Sequence, residues 1–127
     1  MKKVIATSNA PKAIGPYSQA IKANGFVFVS GQLPINPASG TIEATDATGQ
    51  TDQALKNLRA ILSEAGCTLN DVVKNTVFLS DIANFAAMNE VYKQYFTENF
   101  PARSAFAVKD LPLGALVEIE SIAKTND

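Results

Sequence analysis

An arginine and two glutamates near the end of the chain have the types and spacing that point most directly to chemistry. Arg103 lies in FPARSAFAV (100–108), a run of small and apolar residues. Burying an unpaired charge is costly, so Arg103 either reaches water at an edge or meets an anion. Further on, LVEIESIA puts Glu118 and Glu120 on one side of an extended strand with Leu116 and Ile122. Val117, Ile119 and Ser121 take the other side, because side chains alternate along a strand. In ARSAFAV, Arg103 shares its side with Ala105 and Ala107. If these two strands are neighbours in a sheet, a glutamate comes within reach of Arg103. The commoner reading of such a pair is structural. The small residues beside Arg103 leave room for the other reading, a clamp for a carboxylate ligand. A glutamate so close to an arginine is expected to stay ionised near neutral pH.

Other polar positions carry weaker signals. Tyr17 follows Gly15-Pro16 at the entry of a predicted strand, where an aromatic is usually packing. Ser30-Gly31-Gln32 ends a predicted hairpin strand; Gly31 is either a turn former or a backbone N–H offered to an anion with no Cβ in the way. Asn89 falls in the apolar stripe of a predicted helix, where asparagines mostly satisfy buried backbone groups. Cys67 follows Gly66 just past a helix C-terminus, where the helix dipole disfavours a thiolate, and it reads as structural.

Composition narrows the chemistry. The chain has 127 residues, one Cys and no His, with 11 basic against 12 acidic side chains and a formal net charge of −1. Without His there is no Ser–His or Cys–His catalysis and no HExxH zinc site, so neither a metal nor a histidine acid/base pair is expected. The only local basic cluster, Lys2-Lys3, is too small to track a phosphate backbone, so nucleic acid is not an expected partner. One cysteine forms no intramolecular disulfide. No stretch approaches the roughly 18 apolar residues of a membrane span. MKKVIATSNAPKAIG opens like a signal peptide but lacks a long apolar core and reads as a strand. A cytoplasmic protein is expected.

The elements that must position these residues follow from pattern. One compact domain, 1–127, is expected from the length and from the absence of repeats or linker-like stretches. Residues 3–7 read as a short strand. Residues 17–22 and 26–30 flank Asn24-Gly25, a strong hairpin signal, and 31–40 read as loop. A helix is predicted over 47–65, with Ala54, Leu55, Leu58, Ile61 and Leu62 on one face and Gly66 as its stop. A β-branched run predicts a strand over 72–79. A second helix is predicted over 85–99, its stripe formed by Phe85, Met88, Tyr92, Tyr95 and Phe96 and its start capped by Asp81 or Asn84. Strands over 103–108 and 116–123 close the chain. This order predicts an α+β fold, a mixed sheet with both helices on one face. The other face is left bare, which predicts a homo-oligomer.

PARSAFAVKDLPLGALVEIE (101–120) closely resembles the signature of the reactive intermediate deaminase family (RidA, formerly YjgF). AIGPYSQA (13–20), SGQLP (30–34) and NTVFLSDIANFAAMNEVYKQYF (75–96) are similar to the family's other blocks, in order. The resemblance implies a chorismate-mutase-like fold and a homotrimer with a central β-barrel and clefts between subunits. It also implies cofactor-free hydrolysis of 2-imino acids such as 2-iminobutanoate, 2-iminopropanoate and its enamine 2-aminoacrylate to 2-oxo acids and ammonia. Removing those species protects pyridoxal-phosphate enzymes. It assigns Arg103 to the substrate carboxylate and Glu118 to the attacking water. Gly31 contributes its N–H, Tyr17 lines the pocket, and Ser30 and Asn89 lie near the cleft; Glu120 fits the pattern without an assigned role. Ala105 stands where many members carry Cys, so thiol chemistry is absent there and only its backbone can contact ligand. Two other classes compete: a module that binds small carboxylic or 2-oxo acids without turnover, and a ribonuclease, against which the missing histidine and basic patch count.

Overall fold

The computed structural model describes residues 1–126. Strands β1 (Lys3–Ile5), β2 (Ala20–Ala23) and β3 (Phe26–Gln32) are followed by a small hairpin, β4 (Ile35–Asn36) and β5 (Thr41–Ile42). Helix α1 (Ala47–Glu64), strand β6 (Val72–Leu79) and helix α2 (Phe85–Tyr95) come next, then β7 (Ala102–Ala107) and β8 (Val117–Lys124). Six strands form one sheet in the order β1-β2-β3-β8-β6-β7. All neighbours are antiparallel except β6 and β7. Parallel neighbours need a crossover rather than a tight turn, and α2 is that crossover.

Local chemistry explains most boundaries. Asn24 and Gly25 both take positive φ, 52° and 81°, the requirement of the tight turn between β2 and β3. The Asp46 side chain accepts from the Gly49 N–H at 2.8 Å and starts α1. Gly66, at φ 81°, ends it, and the Cys67 N–H returns to the Leu62 carbonyl. The second helix is shorter than predicted. Asp81 caps a short 3₁₀ turn before it by accepting from the Ala83 N–H, whereas Asn84 makes no capping bond. The first predicted hairpin strand starts later than expected, because residues 15–17 form a bend ahead of β2.

Both helices cover one face of the sheet, as expected. Leu55, Leu58, Ile61 and Leu62 of α1 and Met88 of α2 are buried against Val27, Val77, Leu79, Val117 and Ile119. The opposite face is uncovered within the chain. Register matching there lines up Val4, Ile21, Phe28 and Ile122 across four strands, and Phe78 and Phe106 meet edge to face at 5.5 Å.

Buried amides tie the loops to this frame. The Asn57 Nδ2 of α1 donates to the carbonyls of Leu33 and Ile35, at 3.1 and 2.8 Å. The Gln50 Oε1 accepts from the Leu116 N–H at 2.7 Å, one residue before β8. Asn57→Ala therefore leaves two carbonyls without this donor, and we expect it to lower stability by about 2 kcal/mol, read as a shifted midpoint in urea unfolding.

Candidate functional site

One irregularity in the sheet builds the first half of the site. Val29 pairs with Ser121 but Gln32 pairs with Ile119, so β3 carries one residue more than β8 between these points. The extra residue is a β-bulge, and it takes Ser30 and Gly31 out of the regular ladder. Gly31 presses directly on Glu118: a Cβ there would lie 2.9 Å from the Glu118 Cδ, closer than real Cβ contacts allow. A side chain at position 31 would displace that carboxylate from where it lies. Ser30 is fixed by its Oγ–H donating to the Ser18 carbonyl at 2.6 Å and its N–H to the Gln19 carbonyl at 2.9 Å.

Buried Gln19, which the sequence did not single out, fastens the loop that carries Tyr17. Its Oε1 accepts from the Thr7 N–H at 2.7 Å, and its Nε2 donates to the Pro11 carbonyl at 2.7 Å. Tyr17, Ser30, Gly31, Glu118 and Glu120 thus line one cleft of about 620 Å³. Its rim is apolar. Ile14 and Leu113 are largely exposed there, and Leu113 holds a left-handed φ of 59°, unusual for a branched side chain. Lys12 also borders the cleft.

Arg103 lies elsewhere. Strand β6 separates β7 from β8, so the condition under which a glutamate of the same chain would come within reach of Arg103 is not met. Arg103 pairs with Asn75, and Asn75 with Ser121, so Arg103 shares the helix-covered face with Ser121. Glu118 and Glu120 project from the opposite face. No glutamate of the same chain reaches Arg103. Its Nη1 instead donates to the Asn89 Oδ1 at 2.8 Å, giving Asn89 a side-chain partner in place of the expected backbone one. The guanidinium lies over the rings of Tyr92, at 4.7 Å, and Phe85, at 5.6 Å. Among the described residues, none of the ion pairs formed involves Arg103. A second cleft, of about 400 Å³, opens beside it between Asn89, Tyr92, Phe100 and Pro101. Ala105, two residues along β7, pairs with Val77 and rests against the core.

The electrostatics differ accordingly from the sequence reading. Glu118 has no arginine to hold it ionised. Burial, followed by the charge of Glu120, pushes its carboxyl above the ordinary glutamate value of 4.5. Burial also raises the Tyr92 phenol above its usual value, against the lowering pull of its bond to Asn75 and of Arg103.

Residues 7–125 match the family described as Endoribonuclease L-PSP. The chain belongs to the Rid (YjgF) family. A Rid relative of Pyrococcus horikoshii, named a RutC family protein, is 58% identical over 97% of this chain and 98% of its own. The human 2-iminobutanoate/2-iminopropanoate deaminase is 48% identical over 97% of this chain and 90% of its own. The solved structure of a Yersinia pestis member of the conserved Rid protein family superposes with a TM-score of 0.96 at 52% identity, covering 98% of this chain and all of that one. The mixed sheet with two helices on one face is the chorismate-mutase-like fold of Rid proteins.

The carboxylate pair is open to direct titration. In carbon-detected NMR, Glu118 is expected to titrate above 4.5, and Glu120→Gln to lower its midpoint by removing a like charge. Gly31→Ala is expected to drive the carboxylate out towards water and lower the midpoint as well. An unchanged midpoint in both variants counts against the geometry described here.

Proposed function

We propose that this chain hydrolyses 2-imino acids to 2-oxo acids and ammonia, at a site to which two copies of the chain contribute. The observation that carries the reading is Arg103 itself: a guanidinium seated on two aromatic rings, oriented by an asparagine, and without an acidic partner among the described residues. Such a group suits bidentate binding of a small carboxylate. The deaminase name carried by relatives at about half identity supports the same reaction.

In this reading the substrate is the protonated imine of a short amino acid, 2-iminopropanoate or 2-iminobutanoate. Arg103 holds its carboxylate, with the Ala105 backbone beside it. A water between Glu118 and the substrate attacks the imine carbon, and Glu118 accepts the water's proton as the C–O bond forms. Glu118 returns that proton to the carbinolamine nitrogen; the C–N bond then breaks as the hydroxyl oxygen forms the C=O and gives its proton through Glu118 to the departing ammonia, so that a 2-oxo acid and ammonium leave. The electrophile is already activated by its charge, so orientation and one proton acceptor are sufficient. Within one chain burial raises the proton affinity of Glu118, and Arg103 of a second copy would oppose this and favour the ionised form that accepts a proton. Gly31 and Ser30 border the carboxylate's position, and Tyr17 closes the cleft.

Because the two halves of the site occupy opposite faces of one sheet, Arg103 of one copy would work with Glu118 of another. A homotrimer whose bare sheet faces turn inward to a barrel satisfies this and covers the exposed Phe28 and Phe106. The ribonuclease reading has less support, since the chain has no His for acid–base cleavage of a phosphodiester.

In an assay coupled to a threonine dehydratase, Arg103→Ala and Glu118→Gln are each expected to lose acceleration of 2-oxo acid release. Equal rates with wild type and with no added protein would sink the assignment. The wild-type rate is expected to rise with pH as the Glu118 carboxyl loses its proton, since Glu118 must be ionised to accept one. Co-refolding the two inactive variants in equal amounts separates a shared site from one within a chain. If each trimer site takes Arg103 from one copy and Glu118 from the next, about a quarter of the wild-type activity returns. A site within one chain returns none.

A further inference from the structure

Across β8, β6 and β7 the helix-covered face of the sheet is apolar except along one transverse row. Ser121 of β8, Asn75 of β6 and Arg103 of β7 stand side by side in register. Along the strands on either side of this row lie Val77, Leu79, Ile119 and Ala123, all buried. Asn75 is 0% exposed and Ser121 2%. Two polar side chains so deep in a core are costly unless fully hydrogen-bonded, and apolar residues of similar volume would fill the space equally well. The row therefore has a use other than filling the core.

Its bonds run in one direction, towards Arg103. The Ser121 hydroxyl donates to the Asn75 Oδ1. That leaves the Asn75 Nδ2 to donate to the Tyr92 hydroxyl, at 2.9 Å. Tyr92, 6% exposed, is thereby tied at its far end, and its ring lies 4.7 Å beneath the Arg103 guanidinium. Asn89 then fixes rotation of the guanidinium through its 2.8 Å bond to Nη1. The ring sets height and tilt, while the asparagine sets rotation.

We propose that Ser121, Asn75 and Tyr92 are positioning residues that fix the orientation in which Arg103 meets the substrate carboxylate. The inference rests on the carboxylate-binding role given to Arg103 above. Ser121 and Asn75 are sealed in the core and act through the Tyr92 ring beneath the guanidinium. Side chains that orient a binding group commonly decide whether it is productive, because small misplacements weaken a bidentate contact strongly.

The test uses two readouts. The first needs no ligand: the Nε–Hε signal of Arg103 in nitrogen-15 NMR, assigned by its loss in Arg103→Lys. It is expected to be sharp and slow to exchange in the wild type, and broadened in Tyr92→Phe and Ser121→Ala. The second is calorimetric titration with 2-oxobutanoate. The same two variants are expected to bind about tenfold more weakly, while Ser121→Thr, which keeps the hydroxyl, stays within about twofold of wild type. Val27→Ala, a buried truncation on the same face but in β3, three strands from Arg103, is expected to lower the melting temperature but leave signal and affinity unchanged. The proposal is overturned if Tyr92→Phe and Ser121→Ala keep the wild-type signal, or if Val27→Ala loses signal and affinity as they do. Ser121→Ala, the smaller change, decides the matter should Tyr92→Phe not fold. If the wild type fails to bind 2-oxobutanoate, the carboxylate role of Arg103 falls, and with it the proposal; a broadened signal in the variants would then show only that the row orders the side chain.

Discussion

The placement of β6 between β7 and β8 decides what one chain can do alone. It sets Arg103 and Glu118 two strands apart, and the register puts them on opposite faces of the sheet. The helix side supplies the arginine, half-buried over the rings of Tyr92 and Phe85 beside a cleft of its own. The bare side supplies the glutamates, seated in an open cleft. The same placement keeps the Arg103 guanidinium of its own chain away from Glu118, so burial, and then the charge of Glu120 two residues along β8, raise its proton affinity unopposed. The separation of the two groups is the consequence of a single long-range pairing.

Those features were the ones the sequence hid. Side-chain alternation correctly placed Glu118 with Glu120 and Arg103 with Ala105, because period two is a local property. Nothing in ARSAFAV or LVEIESIA names the strand that lies alongside, so neighbour identity had to come from the fold. The Asn24-Gly25 turn, the end of α1 at Gly66 and the helical faces were legible because each depends on residues within a few positions. The β4–β5 hairpin was not, since two-residue strands between prolines show no periodicity. Tyr92 read as one more member of an apolar stripe; its hydroxyl's use depends on Asn75, 17 residues away. Gly31 drew notice for its N–H, but what its missing side chain accommodates, the Glu118 carboxylate, became visible only in three dimensions.

The loops around the cleft are held by amides rather than by apolar packing. Gln19 fastens the segment before Tyr17, Asn57 the chain after the bulge, and Gln50 the entry to β8. Each side chain is buried and bonds to main-chain groups, so each supplies directional restraint where a loop has few apolar contacts. The walls of the cleft are thereby tied to α1 and to the N-terminal loop, and the carboxylates stand on the regular ladder of β8.

The bulge at Ser30 and Gly31 also places a limit on how this sheet can change. Substitution can alter what the bulge presents, but it cannot remove the bulge, because the extra residue is a matter of count and not of type. Deleting that residue would straighten β3: Val29 and Gln32 would stand two positions apart, still opposite Ser121 and Ile119 and still on the core face. What would go is the place of Ser30 and Gly31 outside the ladder, and with it the space in which the Glu118 carboxylate sits. The cleft therefore hangs on a residue that the core does not need, and substitution alone meets a step it cannot take in parts.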